Sequence, residues 1–209
     1  MHKKLLLIGG GGHCRSVLSS VLSLNKYEAV GIVDYTDATI LGISVVGCDE
    51  DLPNLKKAGW TDAFITVGSI GNTNLRRRLY QMILDKGFTV PSIVDATAII
   101  ARDAKIEEGC YVGKGAILNS GSQIGKCAII NTGTIIEHDC VVGEFVHISP
   151  GTVLCGQVIV GNNSHIGAGS VVRQQITIGN DVLVGAGSVV VNNISDSVKA
   201  YGNPCKVVE

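Results

Sequence analysis

The second half of the chain carries a strict hydrophobic period of six. From Ile93 to Ile194 it divides into seventeen consecutive hexads without an insertion. The second residue of every hexad, from Val94 through Ile136 and Ile148 to Val190, is Ile, Val or Leu. The sixth residue, as at Ala116, Cys140, Thr152 and Ser188, is small or branched. Gly follows the aliphatic in seven hexads (113, 125, 143, 161, 167, 179, 185). One large inward aliphatic and one small inward partner per six residues predict a parallel β-helix. Each hexad is a short strand plus a turn. Three hexads close a triangular coil, whose narrow corners have no volume for a large side chain.

The first ninety residues follow other periods. Leu5–Ile8 is a short apolar strand, and four glycines (9–12) come next. Cys14–Leu24 then has helical spacing at Val17, Leu18, Val21 and Leu22. Ala29–Val33 reads as a second strand ending at Asp34, and Phe64–Val67 as a third, followed by a Gly/Asn turn and a helix over Asn74–Lys86. Alternating strands and helices predict a small parallel α/β sheet of Rossmann-like type. The boundary falls near Pro91, giving domains over residues 1–91 and 92–209. Ser195–Glu209, with Gly202-Asn203-Pro204, leaves the period as a C-terminal tail.

Composition narrows the function. The formal charge is −1, charged residues are 17% and no Lys/Arg block supplies a local patch, which argues against nucleic acid as a partner. No segment approaches the length of a membrane span. The apolar run after the basic start stops at glycines and is too short for a secretory leader. The seven cysteines are odd in number and form no C-x-x-C pair, so disulfides and zinc knuckles are not expected and a cytoplasmic location is.

Four glycines between a strand and a helix let backbone N–H groups approach a phosphate at the helix N-terminus. Asp34 stands where a ribose-binding acid would sit. A nicotinamide site is disfavoured, because Arg15 occupies the place of the third Gly of G-x-G-x-x-G. A mononucleotide or nucleotide sugar fits better; a plain tight turn is the bland alternative. In the repeat, His147 and His165 lie three hexads apart and stack on one edge. With Ile129 and Leu183 next in register they lack a third ligand, so a metal is not expected. His138 lies on another part of the triangle, which makes a site using both His138 and His147 more plausible across a subunit interface. His138 sits in Glu137-His138-Asp139, where the acid can orient its ring. Gly156 is one coil above and can offer a backbone N–H, and Asn131 can offer an amide. A base, an orienter and an oxyanion donor form an acyl-transfer constellation. A solvated polar turn is the alternative for His138. The small sixth position predicts that Cys140 points into the core.

Gly-Gly-Gly-Gly-His at 9–13, Ile-Ile-Asn-Thr-Gly-Thr-Ile-Ile-Glu-His-Asp-Cys at 129–140, Gly-Glu-Phe-Val-His-Ile-Ser at 143–149 and Gly-Asn-Pro-Cys-Lys at 202–206 resemble the sugar acetyltransferases of the NeuD/PglD type. The resemblance implies a left-handed coil, acetyl-CoA as donor and a homotrimer with sites between subunits. It implies His138 as general base, Asp139 raising its basicity, and Asn131 positioning the acceptor. His147 would contact acetyl-CoA, with Gly156, Ala168 and Ala186 lining its cleft. Gly11, Gly12, His13, Asp34 and Gly68 would hold the nucleotide sugar. Tyr35 departs from members that carry a second Asp there and take a UDP-sugar. The implied reaction is N-acetylation of a nucleotide-linked 4-amino sugar for surface glycan synthesis. The alternatives are O-acetylation of a sialic-acid-like sugar, and a non-catalytic nucleotide-sugar-binding partner that would lack the His base.

Overall fold

The computed structural model of the protein describes residues 3–208. The chain divides into two compact units. One runs up to Gly68 and includes Asn74–Ile93; the other is Ser69–Thr73 with the chain from Val94 onward.

The first unit contains β1 (Lys4–Ile8), α1 (Gly12–Leu24), β2 (Ala29–Val33), β3 (Thr39–Ile40), β4 (Ile43–Gly47), α2 (Leu52–Lys57), β5 (Asp62–Ile65) and α3 (Asn74–Asp85). The sheet order is β3-β4-β2-β1-β5. β1 lies between β2 and β5 and runs parallel to both. Its run Leu5, Leu6, Leu7 and Ile8 is wholly buried, as a strand covered on both faces must be. α1 turns Cys14, Val17, Leu18 and Val21 inward, and α3 contributes Leu79 and Ile83. β5 begins two residues earlier than the pattern predicts, because its first residue, Asp62, is a buried acid paired with Lys3 (3.5 Å). The β3–β4 hairpin and α2 are absent from the sequence reading. β3 has only two residues, and alternate residues of β4 are partly exposed, so neither makes a strong apolar pattern.

The second unit is a parallel β-helix with a two-residue strand in each hexad. Strands three hexads apart pair in parallel and build three stacked sheets. One carries Ile117, Ile135, Val153 and Val171 in register, and another Ile129, His147, His165 and Leu183. The second-position aliphatics and the sixth-position residues form one continuous core. Several hydroxyls and thiols at the sixth position are satisfied by the next coil. Thr134, Thr152, Ser164 and Ser170 donate to the carbonyls of Ser149, Gly167, Gly179 and Gly185. Cys110 and Cys140 behave alike, their thiols donating to Gly125 O and Cys155 O at 3.1 Å. Cys140 therefore points into the core, as expected, and is fully buried.

The coil bends at a position that the sequence does not advertise. Every sixth residue from Gly109 to Gly187 has φ between 55° and 71°. Half of these fifth positions are not Gly; Asp139 and Gln157 are among them. The third-position glycines serve a different purpose. A Cβ at Gly161 would come within 2.6 Å of Gly179 C on the next coil.

The expected tail is corrected in part. Lys199–Tyr201 continues the coil as a parallel rung on Leu183–Val184, and Lys206–Val207 folds back antiparallel to it. The rung pairs Lys199 with Leu183, so it breaks the period and escapes a hexad count. Glu209 lies outside the described residues. All seven cysteines are free thiols. Among the described residues no helix is long and apolar enough to cross a membrane.

Candidate active site

In the first unit the candidate residues converge at the carboxyl ends of β1, β2 and β5. Strand order reverses on either side of β1, and such a switch point opens a ligand crevice. The glycine loop joins β1 to α1. A Cβ at Gly11 or Gly12 would meet nothing within 4 Å, so packing does not require glycine there. Their smallness leaves the helix N-terminus open to an approaching anion. Asp34 Oδ2 accepts the Gly10 N–H at 2.6 Å and Oδ1 accepts the Thr36 N–H at 2.8 Å. These bonds, Gly10 first, hold its carboxyl below the ordinary carboxylate value. Asp34 thus braces the loop. His13 follows at the first turn of α1. Burial, helped by the Arg76 charge, lowers its imidazole to about 4, so the ring is neutral at pH 7. Gly68 follows β5, where an added Cβ would touch His13 Cβ at 3.9 Å. Tyr35 is exposed and its hydroxyl donates to Glu50 Oε1 at 3.2 Å.

In the β-helix the candidates form two groups. The first is His138, Asp139 and Gly156. Asp139 Oδ2 lies 2.9 Å from His138 Nδ1. A carboxylate only accepts, so Nδ1 carries the proton and Nε2 presents a lone pair. The side chains are 56% and 60% exposed, so the pair is open to substrate. Gly156 lies directly over the ring: a Cβ there would collide with His138 Nε2 and come within 2.6 Å of Cε1. Cys155 N–H and Gln157 N–H make the ladder bonds on either side, to Val172 O and His138 O. The Gly156 N–H is thereby left outside the ladder.

The second group lies on the sheet of His147. Its Nδ1–H donates to Ser69 O at 2.9 Å, because a carbonyl can only accept. Its Nε2 therefore accepts, and it takes the Asn131 amide N–H at 3.2 Å. Asn131 Oδ1 accepts the Thr132 N–H at 2.8 Å, which fixes both ends of the amide. His165 stacks edge-on beneath His147 with ring centroids 4.9 Å apart. Its Nε2 meets Ser149 Oγ at 3.3 Å. Burial holds the His165 imidazole below its usual value, opposed by the Ser69 carbonyl. His147, Ala168 and Ala186 line one groove of about 490 Å³. Among the described residues no three His, Cys, Asp or Glu side chains converge as metal ligands.

The structure therefore unites His147 with Ala168 and Ala186, and Gly156 with His138 and Asp139. Within one chain it does not bring Asn131 to His138: Asn131 follows Ile129–Ile130, and His138 follows Ile135–Ile136 of a different sheet. Ser69, Ile70 and Ser149 join this region without having been singled out in the sequence. Ser69 and Ile70 lie outside the hexads, and Ser149 has no distinguishing spacing.

Residues 4–83 match the model of the PglD N-terminal domain. Residues 139–174 and 157–192 match that of the bacterial transferase hexapeptide repeats. PerB from Caulobacter crescentus, solved in complex with CoA and GDP-perosamine, is 37% identical, with 99% of this chain and 97% of that chain covered and a TM-score of 0.93. The acetyltransferase domain of PglB from Neisseria gonorrhoeae, in complex with acetyl coenzyme A, is 34% identical over 100% of both chains, also with a TM-score of 0.93. WeeI from Acinetobacter baumannii shares the fold at 20% identity, 99% and 100% coverage and a TM-score of 0.79. With relatives this similar along its whole length, the chain belongs to the NeuD/PglD-type sugar acetyltransferases, an α/β subdomain followed by a left-handed β-helix of hexapeptide repeats.

Proposed function

We propose that the protein is an acetyl-CoA-dependent N-acetyltransferase acting on a nucleotide-linked 4-amino sugar in bacterial surface glycan synthesis. The observation that carries this reading is the 37% identity, across nearly the whole chain, to a protein solved with CoA and GDP-perosamine. Residues 1–91 form the nucleotide-sugar domain, apart from Ser69–Thr73, which pack with the β-helix, and 92–209 the acyltransferase domain. Gly11, Gly12, Asp34 and Gly68 hold the nucleotide sugar, with His13 kept neutral at the loop.

The sugar amine attacks the thioester carbonyl of acetyl-CoA directly. As the C–N bond forms, His138 Nε2 takes the amine proton, and Asp139 on Nδ1 steadies the resulting imidazolium. The Gly156 N–H donates to the oxyanion of the tetrahedral intermediate. Collapse breaks the C–S bond, and the departing thiolate recovers the proton. Asn131 positions the acceptor; His147, Ala168 and Ala186 hold the donor. Cys140 is a poor candidate for an acyl-enzyme, because burial pushes its thiol up to about 11.

A homotrimer completes the site in this reading. Ile117, Ile135, Val153 and Val171 stack in register on one outward sheet face, and a second copy covers them. Such packing lets His138 of one subunit face Asn131 and His147 of the next. Seven free thiols suit the reducing cytoplasm, where we place the protein.

The test is release of free CoA from acetyl-CoA with a panel of acceptors. The panel holds UDP-, GDP- and dTDP-linked 4-amino sugars, their non-amino counterparts, and free or CMP-linked sialic acid. The expected result is release with a 4-amino sugar only, reduced about 100-fold or more in His138→Ala, the scale of general-base catalysis. Release with sialic acid alone would move the reaction to O-acetylation. Full turnover in His138→Ala would remove the base assignment.

A further inference from the structure

Residues Ser69–Thr73 pack with the β-helix as a strap. Three contacts hold it. The Ser69 carbonyl accepts His147 Nδ1–H at 2.9 Å. Gly71 lies over Leu183, with its Cβ position 3.6 Å from Cδ2. The Thr73 hydroxyl meets Asn163 Oδ1 at 3.0 Å. Between the first two anchors stands Ile70. It is 75% exposed, more than any other large hydrophobic among the described residues. An aliphatic side chain held in water from a backbone fixed on both sides gains nothing for this fold. It does form one wall of the groove that His147, Ala168, Leu183 and Ala186 line.

The lining decides which part of a ligand belongs there. Among the described residues no Asp, Glu, Lys or Arg side chain borders the groove. A diphosphate or a 3′-phosphate would have no counter-charge in it. A narrow, flexible, uncharged chain meets apolar walls and leaves its amides to backbone groups and Ser149. We propose that Ile70 is a donor-binding residue, which the strap holds against the acyl-pantetheine arm of acetyl-CoA. This rests on reading the groove as the acetyl-CoA site.

The experiment titrates CoA and pantetheine into the full-length protein by calorimetry, for wild type, Ile70→Ala and Ile70→Leu. Both ligands are expected to bind Ile70→Ala about 5- to 20-fold more weakly, the effect of losing part of one aliphatic side chain's burial. Ile70→Leu should stay within about twofold of wild type. Because Ile70 is exposed, the variants should fold, and sedimentation velocity and melting check this. Unchanged affinity in Ile70→Ala overturns the proposal. So does a loss for CoA that pantetheine does not share, which would put Ile70 against the nucleotide end. Loss of subunit assembly also overturns it, since Ile70 would then be buried between copies. Failure of the wild type to bind CoA is a different result and removes the reading of the groove itself.

Discussion

At the residue scale, Gly156 makes the sharpest demand. Its backbone does not need a positive φ, so alanine is admissible there by conformation alone. What forbids alanine is the His138 ring, which occupies the space of a Cβ. Gly156→Ala should fold, displace the imidazole and lower kcat about 10- to 100-fold, since a misplaced group loses alignment quickly. In a His138→Ala background the same change should cost almost nothing, because the group it displaces is gone. Steady-state turnover of the single and double variants measures this; an equal loss in both backgrounds would mean that Gly156 acts independently of the ring. His13 makes a second residue-scale prediction. Unfolded, its imidazole takes a proton near pH 6.5, whereas in the fold it resists protonation down to about 4. Between these values the unfolded chain binds more protons, so stability rises with pH and falls on acidification. From pH 7 to pH 5 the first unit should lose about 1–2 kcal/mol through this residue. Urea unfolding of wild type and His13→Gln should differ by that slope. Parallel slopes would show that His13 titrates as in the unfolded chain.

At the scale of the elements, the hexad uses glycine for two unrelated reasons, and substitution separates them. Gly161 faces backbone on the next coil, with Gly179 C at 2.6 Å and Asn180 N at 2.7 Å from a Cβ. Gly161→Ala must push two coils apart and should cost about 2–3 kcal/mol, the range of overpacking. Gly115 has φ +62° and open space around it. Gly115→Ala pays only for the left-handed backbone, about 1 kcal/mol. Thermal unfolding of the two variants should rank them in that order, and the reverse ranking would mean that the coils yield more easily than the turn. The same contrast explains what was legible. Large second and small sixth residues repeat because every coil needs both, so the β-helix can be read directly. The left-handed fifth position is spread over Gly, Cys127, Asp139, Phe145, Gln157 and others, and this variety hides it. His138, Asp139 and Gly156 could be related because the period converts sequence distance into coil distance. The Ser69–His147 bond could not, since Ser69 belongs to no repeat and only the folded chain lays it on that sheet.

At the scale of the whole molecule, the separation of Asn131 from His138 within one chain becomes an argument about assembly. Asn131 is tied to His147 on one sheet, and His138 stands beside Asp139 after a strand of another. One acetyl transfer that needs the base and the acceptor-positioning amide then requires two copies. Two inactive variants should restore each other. His138→Ala retains Asn131, and Asn131→Ala retains His138. Co-assembled in equal amounts in the proposed trimer, they would generate junctions where an intact His138 faces an intact Asn131. Random mixing makes about one junction in four of this kind, so about a quarter of wild-type turnover should return in a cyclic assembly. Refolding or co-expression of two differently tagged variants, tandem purification and the CoA-release assay measure it. Ile135→Asp, which puts a charge on the outward aliphatic face, should abolish the restored activity by dissolving the assembly. Mixed trimers that form but stay inactive would place the whole reaction within a single chain, and His138 and Asn131 would then have to serve it from the separate faces they occupy.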